Sequence, residues 1–284
     1  MSAKKTPGKI ANRDEDVVAG FGDEWERFDQ QALSDNDQAQ IFSDYFRIFP
    51  WERLPLGAVG ADIGCGSGRW AKTVEQRVMT LHCVDASAKA LGVARQNLAG
   101  IENVAFHLAS VDSLPFSDNS LDFAYSLGVL HHVPDTAAAI NSIAAKLKPG
   151  APFLVYLYYA FDNRPSWFRL LWKTSEGIRN TVSRLPFPLR YLASQVLALG
   201  VYWPLARVAR VLEWRGCLPE SWPLSYYRDK AFYVMRTDAL NRFGTRLEQR
   251  FTREEIRQML ESAGLSDVHF SDHAPYWCAV GIKR

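Results

Sequence analysis

Cysteine is scarce in this chain and scattered. Four occur in 284 residues, at positions 65, 83, 217 and 278. None are paired at the CxxC spacing common in zinc sites, and four spread so widely make no disulfide framework. The usage fits a reduced, intracellular compartment. An excess of either charge is also missing: 33 lysines and arginines face 31 aspartates and glutamates, a net +2. That balance argues against a general nucleic-acid binder. The most apolar stretch, YLASQVLALGVYWPLA between Arg190 and Arg207, is shorter than the ~20 residues a membrane-spanning helix needs, and it contains Pro204. A single-pass membrane protein is therefore not expected; contact with a membrane surface stays open. Residues 1–16 are polar and have no apolar segment of the kind a secretion signal carries, so they read as a tail. There is no internal repeat and no low-complexity block.

What is present is a chain long enough for one large domain, or for one domain with an insertion. Residues 17–54 read as helices, with Trp25, Phe28, Ile41, Phe42, Tyr45, Phe46 and Phe49 at helical spacings. From 57 to 159, short apolar runs alternate with helical patterns, which predicts βαβ units and a parallel sheet. The runs are 58–63, 80–85, 103–109, 121–127 and 151–158; the helix candidates between them are 69–77, 87–98 and 135–147. The rhythm breaks over 160–245 and returns at 252–284. There a Thr252/Glu255 capping box opens a helix ending near Gly264, and two strand candidates follow, 267–272 and 276–282. The predicted organisation is a helical N-terminal part (1–56), an α/β core (57–160), a helical insertion (161–248) and a C-terminal return to the core (249–284).

The sharpest motif is Asp62-Ile63-Gly64-Cys65-Gly66-Ser67-Gly68, between a predicted strand and a predicted helix. Glycines there allow positive φ and close approach of a ligand to main-chain N–H groups. The dinucleotide fingerprint G-x-G-x-x-G would need glycine at 69, where Arg69 stands. That argues against a dehydrogenase. Asp85 ends the next strand, 17 residues after Gly68. A carboxylate at that place can accept hydrogen bonds from both hydroxyls of a ribose.

With these motifs the chain resembles the class I S-adenosylmethionine-dependent methyltransferases, particularly the small-molecule group that includes the ubiquinone and menaquinone methylases. VGADIGCGSGRWA, LHCVDAS, SVDSLPFSDNSLDFAYSLGVLHHVPD and LKPGAPFLVY carry the likeness, in order. The resemblance covers 57–160 well and 250–284 more loosely. It implies a Rossmann-like α/β fold: a seven-stranded sheet, last strand antiparallel, with helices on both faces. It implies S-adenosylmethionine as cofactor. The backbone of Gly64, Cys65, Gly66 and Gly68 would lie against its methionine and ribose parts. Asp62 would orient the methionine ammonium and Asp85 would hold the ribose hydroxyls. Ala86 would lie beside the adenine, and Asp112, preceded by Val111, would bond its amino group. Leu127 and Gly128 would pass near the reactive methyl.

Methyl transfer from a sulfonium is an in-line displacement in which the protein aligns the nucleophile and excludes water. A base is needed only for a weakly acidic acceptor. His131 and His132 follow the fourth strand, where one could take the acceptor's proton or both could organise the loop. Tyr156 and Tyr158 share a face at the end of strand five, and Tyr158 is a candidate partner for the acceptor. Trp25 could form part of a lid or dock its helix on the sheet. Tyr226, Tyr227, Arg228, Tyr233, Arg236, Asp238 and Arg242 are candidate acceptor contacts, and an arginine wall there would suit carboxylate or phosphate. No metal site is expected.

Segment 161–215 carries nine basic residues against Asp162, Glu176 and Glu213, together with Trp167, Trp172, Trp203 and Trp214. Residues 166–185 read as an amphipathic helix, and 189–213 as one or two helices kinked at Pro204. A cap over the acceptor pocket, a membrane-surface element and an oligomer interface all fit, and they can coexist. The overall expectation is a cytoplasmic methyltransferase acting on a small molecule, slightly favouring oxygen, with peripheral contact to the inner membrane face left open. A lipid, quinone-like or lipid-linked glycan acceptor and a non-catalytic cofactor-binding protein remain as alternatives.

Overall fold

A computed structural model describes residues 12–162, 164–219 and 221–284. Most of the predicted polar tail lies outside these residues.

Two helices come first, α1 (Glu15–Arg27) and α2 (Asp35–Phe46). Asp14 caps α1 and Ser34 caps α2, each accepting backbone N–H groups that the first helical turn leaves unpaired. Strands β1 (Val59–Ile63), β2 (Thr80–Asp85), β3 (Val104–Leu108), β4 (Phe123–Leu127) and β5 (Pro152–Tyr156) alternate with α3 (Ala71–Val74), α4 (Ala88–Asn97) and α5 (Thr136–Lys146). In the middle of the sheet, the apolar runs of β1, β4 and β5 are buried because helices cover both faces, while β3 at the edge stays partly exposed. Four helices then intervene: α6 (Ser166–Val182), α7 (Phe187–Leu197), α8 (Trp203–Trp214) and α9 (Phe232–Gly244). The chain returns through α10 (Arg253–Ser262), β6 (Leu265–Phe270) and β7 (Cys278–Lys283). The expected capping box opens α10, with both the Thr252 and Glu255 side chains engaged.

The strands form one seven-stranded sheet in the order β3-β2-β1-β4-β5-β7-β6, with β7 antiparallel to both neighbours. Chain order reverses between β1 and β4, a point where ligands bind beyond the carboxyl ends of strands. One face is packed by Ile140 and Ile143 of α5 and Ile256 and Leu260 of α10. The other is packed by Phe42 and Phe46 of α2 and Leu91 of α4. A third cluster, including Tyr202, Ala206, Met235 and Phe243, holds the inserted helices together.

The stretch 187–214 differs from expectation. A five-residue π turn, Ala198–Tyr202, joins α7 to α8 just before Pro204, and this widened turn lets the helix continue through the proline, which lacks an N–H to donate. The result is one 28-residue helix, long and apolar enough by length and composition to cross a membrane. The short apolar run had hidden this, because Phe187–Arg190 and Arg207–Trp214 extend it at both ends.

Candidate functional site

A cavity of about 670 Å³ lies between the carboxyl ends of the strands and the inserted helices. Its inner end is built by the glycine loop and the neighbouring strand ends: Gly64, Cys65, Asp85, Ala86, Val111, Leu127 and Gly128 all line it. Gly64 has φ +81°, and a Cβ there would stand 2.5 Å from the Val129 side chain, so only glycine fits. Both oxygens of Asp85 are fixed by backbone N–H groups, Oδ2 by Gly66 at 2.9 Å and Oδ1 by Ser87 at 2.8 Å. Each oxygen keeps a further lone pair for a ligand hydroxyl.

Four expected cofactor residues are not on the cavity wall. Gly66 lies under Trp25, whose indole nitrogen would be 2.8 Å from an added Cβ, and Gly68 packs against Ala94 of α4 and Leu98 just beyond it. Their glycines therefore serve close packing. Asp112 accepts the Asn12 backbone N–H at 2.9 Å, tying an N-terminal segment across that end. Asp62 is wholly buried beneath the loop. Both its carboxylate oxygens lack a hydrogen-bond partner of good geometry, the Tyr125 hydroxyl beside it included. Burial, reinforced by the Asp85 charge, pushes its pKa up to about 8. A carboxyl in this state stays mostly neutral until a cation comes within reach, and with Asp62 off the cavity wall the ammonium of S-adenosylmethionine would have to reach it past the glycine loop.

The outer end is aromatic. Trp25 and Tyr158 line it, as expected, with Tyr45, Tyr156, Tyr226 and Tyr227. Tyr158 donates its hydroxyl proton to Asn241 Oδ1 at 2.8 Å, and burial raises its pKa well above the ordinary phenol value. A hydroxyl so raised and already donating is ill suited to act as a base. The Tyr158 ring stacks on His131 at a 3.8 Å centroid distance. His131 itself is fully buried, off the cavity wall, with neither ring nitrogen bonded among the described residues. That corrects its candidacy as a base. His132 does line the cavity. Its Nδ1 stands 2.7 Å from the Leu247 carbonyl oxygen, so Nδ1 carries the proton and Nε2 presents a lone pair. Burial lowers its pKa to about 4, keeping the ring neutral.

Of the three arginines expected to form a wall, only Arg242 reaches the cavity. Arg228 turns away to Glu213 at 2.6 Å, and Arg236 bonds Gln195 and Tyr191 on α7. Neither lines the cavity. Arg242 and Arg250 do, sandwiching the Trp172 ring at 3.5 and 3.8 Å, with Glu248 bridging them and Glu176 pairing with Arg242. Glu24 of α1 also lines the cavity; its Oε1 is buried without a partner. Burial and the nearby Asp238 charge push it up to about 8. Glu24, Asn241 and Arg250 went unnoticed in the sequence, since none belongs to a motif. Among the described residues no cluster could hold a metal ion.

Residues 61–155 match the family model described as "Methyltransferase domain". This chain carries a class I S-adenosylmethionine-dependent methyltransferase domain. Gly64 and Asp85 stand where the sequence resemblance puts S-adenosylmethionine. A methyltransferase of Bacillus subtilis with no assigned substrate is 35% identical over 101 residues, 35% of this chain and 40% of that one. A ubiquinone biosynthesis O-methyltransferase of Alkalilimnicola ehrlichii is 37% identical over 91 residues, 31% of this chain and 37% of that one. The matched part thus spans less than half of either relative. A proposed S-adenosyl-L-methionine-dependent methyltransferase of Methanococcus maripaludis shares the fold along 97% of both chains, with a TM-score of 0.52 and 15% identity.

Proposed function

We propose that this protein transfers the methyl group of S-adenosylmethionine to a hydroxyl of a small-molecule acceptor held between the glycine loop and the inserted helices. The observation that carries this reading is the single cavity running from Asp85 and Gly64 to Tyr158, His132 and the Trp172 wall. When bound, the cofactor supplies an electrophilic sulfonium methyl. Asp85 holds the ribose, and the ammonium reaches Asp62 where the glycine loop above it gives way. The aromatic wall of Tyr45, Tyr156 and Tyr226 excludes water and orients the acceptor. His132 Nε2 accepts the acceptor's hydroxyl proton, while Leu247 keeps the ring in the tautomer that can do so. Oxygen is favoured because His132 Nε2 is unpartnered and neutral, so it can accept a hydrogen bond from an acceptor hydroxyl, although burial keeps it a weak base until the transition state develops charge.

The test is methyl-labelled cofactor with a panel of hydroxylated and aminated acceptors. Label should reach a hydroxyl. His132→Gln should lower kcat by about 10²–10⁴-fold with S-adenosylhomocysteine affinity unchanged. Transfer to amines alone, or full turnover in the variant, would remove the hydroxyl reading. No transfer to any acceptor would favour a non-catalytic binder.

A further inference from the structure

The inserted helices present an apolar face to solvent. Along the long helix, Leu189, Leu192, Val196, Leu199 and Trp203 recur at alternating spacings of three and four, and Val208, Val211 and Trp214 continue the ridge. Leu192, Val196 and Leu199 are 59–63% exposed and Trp214 is 84% exposed. The opposite side of this helix is committed to protein through Ser194, Ala198, Tyr202 and Ala206. On α6 the same division holds: Arg179 and Val182 face inward, while Trp167, Leu170, Leu171 and Ile178 face out. Apolar patches on this scale mark interaction sites.

Charge indicates what covers it. Arg169, Lys173, Arg184 and Arg215 are exposed and have no ion pair among the described residues. Lys173 lies one turn from Leu170 on α6. The three carboxylates of segment 161–215 are all used internally: Glu176 by Arg179 and Arg242, Glu213 by Arg228, and Asp162 by the Arg253 backbone and Trp277. The face is therefore apolar with uncompensated positive charge. A twofold contact with a second copy would bring like charges together. An anionic lipid surface satisfies both features, with tryptophan at headgroup level. Leu171, Ile178 and Val201 belong to the exposed face and also line the cavity, so the cavity reaches the surface there.

We propose that the outward faces of α6 and the Phe187–Trp214 helix form a docking surface for an anionic bilayer, with the cavity opening toward the lipid. The acceptor class that follows, resting on the function proposed above, is an amphiphile drawn from the membrane. The helix lies along the surface and does not cross it, because its inner side is packed on α9.

The test is flotation of the full chain with phosphatidylcholine vesicles, with and without phosphatidylglycerol. Binding should need the anionic lipid and fall with salt, and each of Arg169→Ser and Lys173→Ser should weaken it by about fivefold. Leu192→Glu combined with Leu199→Glu should abolish it while leaving S-adenosylhomocysteine affinity intact, which shows that the fold survives. No flotation at low salt would overturn the proposal. So would a dimer in sedimentation that Leu192→Glu with Leu199→Glu dissociates. Flotation without methyl transfer supports docking and counts only against the proposed function; transfer without flotation overturns docking alone.

Discussion

Asp62 offers a prediction with a countable readout. Its carboxyl is buried, unpartnered and raised to about 8. At pH 7 a group with that pKa is about nine-tenths protonated in the ligand-free protein. A cationic ammonium brought against it favours the charged form and pulls the pKa below neutrality. Binding of S-adenosylhomocysteine at pH 7 should therefore release most of one proton per site. Calorimetry in buffers of different ionisation heat measures this directly, since the observed enthalpy changes linearly with the buffer's heat. In Asp62→Asn the release should fall close to zero, and affinity should drop by about 1.5–3 kcal/mol for the lost charge-assisted bond. Binding to the unaltered protein with no proton exchange at pH 7 would refute the argument, because Asp62 would then be ionised before the ligand arrives or remote from it.

Other substitutions probe the same geometry. Asp85→Ala should weaken S-adenosylhomocysteine by about 1.5–3 kcal/mol, read by titration; unchanged affinity would move the ribose elsewhere. Gly64→Ala combines positive φ with a clash on Val129. It should cost at least about 1–3 kcal/mol of stability in a melting experiment, partly restored by Val129→Ala. His132 is held neutral by burial with its pKa near 4, against 6.5 in the unfolded chain. Protons therefore favour the unfolded state, and stability should fall as pH drops from 6.5 to 4, by about 3 kcal/mol from this group. His132→Gln should flatten that part of the denaturant-derived profile; an identical profile would contradict the burial.

The sheet was legible because each strand is a short apolar run closed by turn formers. β2 falls on 80–85 as read, and the others shift by at most three residues at an end. The glycine loop was legible because Gly64 has an obligatory conformation. The roles within the loop were less so. Spacing cannot tell a glycine that faces a ligand from Gly68, which lets α4 approach, or Gly66, which makes room for Trp25. The region 221–247 was legible in part: Tyr226, Tyr227, Asp238 and Arg242 line the cavity, whereas Arg228 and Arg236 do not. A 3-10 turn at Ser225–Tyr227 puts the two tyrosines in the cavity and sends Arg228 to Glu213, and no periodicity announces it. On α6, Trp167, Leu171, Ile178 and Val182 look like one apolar stripe. The structure divides it, because the buried Arg179–Glu176–Arg242 network draws polar groups inward. Glu24 and Arg250 reach the cavity from opposite ends of the chain, so only the fold could bring them together.

The most direct test of the central claim is diffraction from crystals soaked in S-adenosylhomocysteine. The account predicts density in the cavity, with the ribose hydroxyls on Asp85 and the sulfur facing His132 and Tyr158. Density elsewhere on the protein, or a ribose away from Asp85, would contradict it.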